Sequence, residues 1–334
     1  MAGKQVGGLR SKITHRVVLL FALIGLIVVI GIFEPVFFKP SVLFDVTALM
    51  GEIGLMALAQ TYIITTGGID LSVGYNLQLC AIVFGMTLFQ THLIFLAVVL
   101  ALVVGLLGGL LNGLIISRTR IPPLVTTLAT MYLFRGISMI VAGTHTYSGF
   151  PENFKKVSNV TLFGFFPIQF IYLLVIFVVL NVLFNRGSLG RVLKGIGFNE
   201  NAVIFSGTNS KRYLLWIYAL SGLISGLAAI IYLGRLSSAT TSMGDGLNLQ
   251  VVTAVVLGGT SVFGGVGSVS GTFIATMIIG VLRKGFTLLN LSGNFFNFTL
   301  GVILIASLIV LAVVDKRKAR RGVPPLAAKS SAET

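Results

Sequence analysis

Few residues of this chain can do chemistry, and several stand inside apolar sequence. Asp70 lies in TTGGIDLSVG, Thr65 to Gly74, between two long apolar runs. Gly67 and Gly68 bring backbone freedom and little helix propensity. One helix therefore ends before Asp70, and the next opens over Leu71, Ser72 and Val73 ahead of Gly74. A carboxylate just ahead of a helix accepts hydrogen bonds from amides two or three residues on, and its charge suits the helix's positive end. Capping is the simpler role. The alternative is that Asp70 meets a polar solute or a cation, since ionisable groups in apolar surroundings often mark a pathway.

Glu52, Gln60, Asn76, Gln78 and Asn112 are further polar residues within apolar runs. They suit either a hydrated path or hydrogen bonds between helices, each worth about 1 kcal/mol. Arg135 stands midway along an apolar run, where an arginine is costly unless paired or wet; Glu52 is a candidate partner. No G-x-x-x-x-G-K-[ST] segment cradles phosphate, and no H-E-x-x-H or nucleophile-elbow pattern occurs. His15, His92 and His145 are dispersed, so no metal cluster is expected, and an intramembrane enzyme is a weak reading. Cys80 has no second cysteine to pair with and reads as a small buried hydrophobe. The sequons at Asn159, Asn290 and Asn297 matter only in a eukaryotic secretory route.

The surroundings of these residues decide what they can do. Of 334 residues, 55% are hydrophobic and 10% charged, with a mean hydropathy of +1.00. Ordinary soluble domains carry about 25% charged residues. The expected class is an all-α polytopic membrane protein with about ten transmembrane helices, some broken by glycine. The expected spans are 17–33, 47–66, 72–90, 93–116, 122–142, 166–184, 213–233, 248–263, 267–283 and 295–314. The net charge of +15 sits between spans and at the termini, which speaks for membrane orientation and against nucleic acid.

With the N-terminus inside, most of the basic residues fall on the cytoplasmic side, including Arg118, Arg120, Arg191 and Lys194. Lys39, Lys155, Lys156 and Arg235 are minority cations outside, and Arg283 and Lys284 are the worst exceptions. The domain plan is a basic cytoplasmic N-terminus (1–16), a transmembrane region (17–314) and a basic, disordered cytoplasmic tail (315–334) that favours anionic lipid. The first apolar segment resembles a signal peptide but lacks a cleavage site, so it reads as a retained span. The inner loop 185–212 is long for a connection and too polar for lipid. Val203, Ile204 and Phe205 between glycine-bounded ends suggest a short helix offering apolar residues to a partner.

Six segments together resemble the membrane subunits of bacterial ABC importers for sugars, the ribose, galactose, xylose, rhamnose and autoinducer furanose group. They are GGIDLSVG (67–74), NGLIISRTRIPPLVTTLATM (112–131), Arg135–Gly136, GRVLKGIGFNENAVIFSG (190–207), GRLSSA (234–239) and VVLGGTSVFGGVGSVSGT (255–272). GGID resembles the sugar branch more than the branched-chain amino acid branch, which usually has Asn at the Asp70 position. The resemblance implies the permease fold and a dimer, homomeric or heteromeric. It also implies a periplasmic or lipid-anchored binding protein that delivers the solute. Cytoplasmic ATPases would bind ATP and Mg, with no cofactor in this chain. Gly195 to Thr208 match the family's cytoplasmic coupling segment. Gly195, Asn199, Glu200, Ala202, Val203, Phe205, Ser206 and Gly207 are its implied contact residues, with Val203 and Phe205 as apolar anchors. The bacterial inner membrane is the implied location, with both termini cytoplasmic.

One departure stands out. After GRLSSA the family usually reads a proline and then a G-x-E-L-D-like stretch, whereas this chain reads TTSMGDGLNLQ. Thr241 replaces the proline, and Asn248 and Gln250 stand where acids are common, which raises the question of a heterodimer whose other subunit keeps them. The alternative function is an ion-coupled secondary transporter using Asp70, Glu52 or Arg135.

Overall fold

The computed structural model describes residues 3–119, 121–162 and 166–320, with side chains described over 15–119, 121–162 and 166–313. Arg120 and the tail from residue 321 lie outside the described residues. The chain folds as α1 (Gly3–Phe33), a 3-10 turn (Pro35–Phe38), α2 (Pro40–Leu49), α3 (Gly51–Thr65), α4 (Val73–Thr91), α5 (Ile94–Arg118) and α6 (Pro123–Ala142). There follow β1 (Tyr147–Ser148), α7 (Glu152–Asn159), β2 (Thr161–Leu162), β3 (Phe166–Pro167), α8 (Ile168–Asn185) and α9 (Ser188–Phe205). The chain continues through α10 (Ser210–Leu236), β4 (Ser238–Ala239), α11 (Leu247–Leu257), α12 (Val269–Leu288) and α13 (Gly293–Arg320). The strands form two small antiparallel pairs, β1 with β4 and β2 with β3.

The polytopic all-α expectation holds, with a difference in span number. Among the described residues eight helices are long and apolar enough to cross a membrane, or nine if the pair α2–α3, bent by 46°, forms one span. Span eight of the sequence reading is shortened to α11. At 11 residues it covers about 16 Å, half of a hydrocarbon core of about 30 Å. The shortening has a local cause. Gly246 (φ +74°) turns the chain into α11, and Gly259 (φ +86°) turns it out, a conformation unstrained only for glycine.

All fifteen residues of α3 are buried, so this helix is the axis of the bundle. α5 and α10 pack tightly, with the glycines of GLLGGLLNG (105–113) and GLISG (222–226) against one another. A Cβ on Gly109 would overlap the Tyr218 carbonyl, and one on Gly222 would overlap the Gly105 carbonyl. On the outside, Phe21, Ile32, Phe95, Ile140, Val302 and Ile309 are exposed and apolar, a surface suited to lipid.

Candidate functional site

Two glycine-rich breaks, 66–72 and 258–268, meet at one end of the bundle. Each follows a buried helix, and each contains a glycine in the left-handed region directly after it, Gly67 (φ +83°) and Gly259. The Gly265 amide donates to the Thr65 carbonyl at 2.8 Å, so the two breaks are joined backbone to backbone. The segments GGIDLSVG and GGTSVFGG thus hold two breaks that lie side by side. Gly197 of α9 rests on this bond, and a Cβ there would overlap both the Thr65 carbonyl and the Gly265 amide. No residue but glycine brings a helix so near.

The inner loop of the sequence reading is mostly helix. α9 occupies 188–205 and breaks at Asn199, whose backbone is extended (φ −163°, ψ 101°). The Asn199 Oδ1 accepts from the Ala202 amide at 3.0 Å, so this side chain caps a second short helix. Glu200 accepts from the Ser210 hydroxyl at 2.7 Å and ties that helix to the start of α10. Gly207 (φ +82°) turns the chain back, and Ser206 donates to the Val203 carbonyl at 2.7 Å. Val203 turns inward against Gly195, with its Cγ2 2.9 Å from the position of a Gly195 Cβ. Phe205 is 90% exposed, with Ile204 and Phe198 exposed beside it and Ala202 on the same open surface. Of the two expected apolar anchors, only Phe205 faces outward.

Asp70 lies in the connection between α3 and α4, outside both spans, and is 3% exposed. Its Oδ1 accepts from the Ser72 amide at 2.9 Å and the Ser72 hydroxyl at 2.6 Å, a local turn two residues long that ends at Ser72, the N-cap position of α4, so Asp70 braces the approach to the helix and does not itself cap it. Burial pushes this carboxyl up to about 6, against the Ser72 hydrogen bonds that pull it down. The network extends outward from there. Asn112 Nδ2 donates to Ser72 Oγ at 2.8 Å, and Thr130 Oγ1 donates to Asn112 Oδ1 at 2.7 Å. Thr127 holds the Ile69 carbonyl at 2.9 Å, and Gln60 holds the Asp70 carbonyl at 3.2 Å. The motifs 67–74 and 112–131, distant in sequence, are therefore one hydrogen-bonded unit. Gly74 is packed against the Gly244 carbonyl, 3.0 Å from where a Cβ would stand. Gly68 has equally little room beside the Tyr218 hydroxyl, at 2.6 Å.

The other end of α3 is held by charge. Glu52 is fully buried and pairs with Arg235, while Arg283 Nη1 lies 3.9 Å from the same carboxylate oxygen. This corrects the candidate Glu52–Arg135 pair. α4 and α5 are the helices α6 packs against, so Arg135 does not reach α3. The Arg135 guanidinium lies 5.4 Å from the Tyr75 ring centroid instead, and the Tyr75 hydroxyl donates to Asp245 at 2.8 Å. Lys284, the other misplaced cation, pairs with Asp45 at 2.9 Å. Asn76 and Gln78 bind neighbouring elements. Asn76 Nδ2 donates to the Gly105 carbonyl at 3.2 Å, and Gln78 Oε1 accepts from the Gly244 amide at 3.0 Å.

Sequence reasoning missed Gly197, Thr127, Thr130 and the Arg235–Glu52 pair. A signal existed for the pair, because Arg235 and Arg283 stand on the wrong side of a positive-inside pattern. A cation placed against that bias has a partner that keeps it there. Nothing set Gly197 apart from the many glycines around it.

A family model described as branched-chain amino acid transport system, permease component, matches residues 42–308. The ribose import permease protein RbsC of Bacillus subtilis (strain 168) is 36% identical over 296 residues, 88% of this chain and 90% of that protein. Its Escherichia coli (strain K12) counterpart is 33% identical over 308 residues, 90% of this chain and 93% of that one. The autoinducer 2 import system permease protein LsrD of Photorhabdus temperata is 32% identical over 302 residues, 89% of this chain and 90% of that protein. No solved structure matches the chain.

Proposed function

This chain belongs to the family of transport-system permease components, as a transport subunit and not an enzyme, and on that premise we propose how it works. It forms the membrane path of an ATP-driven importer for a sugar or sugar-like solute. The relatives named for ribose and autoinducer 2 import support that substrate class and leave the ion-coupled alternative without support. Its place is the bacterial inner membrane, as a multi-pass protein. The Lys/Arg distribution supports cytoplasmic termini, which requires an even number of crossings with the shortened α11 as the tenth. A binding protein outside delivers the solute, a second permease subunit completes the path, and ATPase subunits inside bind ATP and Mg.

The observation that carries this reading is the pairing of an exposed apolar tip with a side-chain-free glycine seat. The capped helix after Asn199 presents Phe205 to a partner, while two residues before the break Gly197 sits on the bond joining both glycine breaks. Displacement of the tip by an ATPase that binds nucleotide would reach α3, α4, α11 and α12 together, since each borders one of those breaks. The solute path would then open to one face or the other by a discrete shift of packed helices.

The test is reconstitution in vesicles with the ATPase and binding protein, using ribose, xylose and galactose as solutes. Phe205→Asp is expected to lower uptake more than tenfold while the chain remains inserted and ATP hydrolysis continues. Unchanged uptake by this variant would overturn the coupling role. Accumulation of sugar by the purified chain alone would overturn the ATP-driven reading.

A further inference from the structure

A cavity of about 250 Å³ lies between the start of α11, the end of α12 and the start of α13. Its wall includes Asp245, Gln250, Arg283, Phe286, Phe296 and Asn297, none of which the sequence reading placed on a path. The volume is below the roughly 300–1,000 Å³ of sites for drug-sized ligands, and so suits a smaller molecule.

The lining selects among small molecules by charge. The two charged residues of the wall, Asp245 and Arg283, are opposite in sign, so the site offers no surplus charge to an ion. Gln250 is only 6% exposed, and its Oε1 has no hydrogen-bond partner among the described residues. Buried amide oxygens are nearly always satisfied, so an orphan beside a cavity points to something that donates to it. Arg283 Nη1 likewise makes no hydrogen bond, though it faces the Glu52 carboxylate at 3.9 Å. One wall is apolar, with Phe286 and Phe296 packed edge to face, ring centroids 6.0 Å apart. Acceptors, donors and an aromatic face around one small space match a molecule with hydroxyls on its edge and C–H groups on its face. The Tyr75–Asp245 hydrogen bond links this wall to α4 and to Arg135.

We propose that this cavity is a resting site on the solute's route and holds one neutral polyhydroxylated molecule of monosaccharide size, a proposal that rests on the sugar-import reading. Gln250 accepts from a solute hydroxyl there, and Asn297 and Arg283 donate.

The experiment uses the assembled transporter in vesicles carrying Thr287→Cys, a substitution in the cavity wall, with a membrane-impermeant maleimide as reporter. The native Cys80 is buried and does not compete. The sugar that the wild type imports, among ribose, xylose and galactose, is expected to slow labelling at millimolar concentration, while potassium glutamate does not. Gln250→Ala and, independently, Asn297→Ala should each raise the protective concentration about fivefold, the effect of one hydrogen bond. Because Asn297 is exposed, its variant tests the site even where the Gln250 change impairs folding. Import of a sugar that gives no protection would overturn the cavity and leave the import reading intact. Equal protection by glutamate would overturn the neutral ligand class. A wild-type assembly that imports none of the sugars would instead overturn the reading beneath the proposal, whatever the labelling gives.

Discussion

At one end of α3 a side-chain charge, Glu52, is gripped by Arg235 and approached by Arg283; at the other, the Thr65 carbonyl is held by the Gly265 amide and covered by Gly197. The first arrangement depends on ions taken out of water, and breaking it leaves a buried charge uncompensated. The second depends on backbone groups and the absence of side chains. It lets three segments touch without interlocking, and such a contact shifts by small displacements. One end of the axis is therefore pinned, and the other can relay a push from α9. On the proposed function, the charged end supplies stability and the glycine end would carry coupling.

The strongest way to break this division is to fill the glycine end. Gly197→Val adds a branched side chain where even one Cβ overlaps the Thr65 carbonyl. α9 must then lift from its seat. Uptake is expected to fall more than tenfold in the reconstituted transporter, with insertion and ATP hydrolysis retained. Normal ATP-driven uptake by this variant would show that the two breaks receive no signal through Gly197.

Next in size is the charged end. Glu52→Gln leaves Arg235 without its carboxylate and is expected to cost about 3–5 kcal/mol, read as thermal stability in detergent. Exchanging the charges, Glu52→Arg with Arg235→Glu, should recover part of the loss. Arg135→Ala combined with Glu52→Gln should be additive, since the two residues do not touch. Strong coupling between Arg135 and Glu52 would restore the candidate pairing from sequence and undo the comparison.

The two ends also differ in how much of them the sequence revealed. Helix positions were legible because lipid-facing helices read as long apolar runs; which glycine-rich helices meet, as α5 and α10 do, was not, because it depends on which helices are neighbours. α11 was overestimated, since VVTAVVLGGTSVF stays apolar past the glycines that end the helix, and hydropathy does not register a change in backbone direction. The hydrogen bond of Asp70 to an amide two residues on was legible because it is local, although it closes a turn before α4 and does not cap the helix. The Glu52 partner was not, because its pairing depends on which helices are neighbours across 183 residues of sequence. The inner loop was underestimated for a similar reason: polar sequence on a surface helix resembles a connection until its buried side, Leu193 and Ile196, is placed against the bundle.

Asp70 sharpens the comparison most finely, because it is a buried charge near the glycine end. If that end is organised by hydrogen bonds to the backbone and not by charge, then the carboxylate's oxygen matters and its ionisation does not. Its folded pKa, raised by burial to about 6, stands above the ordinary aspartate value of about 3.9. A raised acid stabilises the fold while protonated. That contribution is complete below about pH 4 and is lost as the pH rises through about 6. The wild type should therefore lose stability across this window, by at most about 3 kcal/mol for a shift of this size. Asp70→Asn keeps an acceptor for the Ser72 amide and hydroxyl and has no proton to lose, so its melting temperature in detergent should vary less between pH 4 and 7. It should also still import. A variant that folds normally but transports nothing would mean that the charge itself acts in translocation, and the glycine end would then carry an ionic role as the opposite end does.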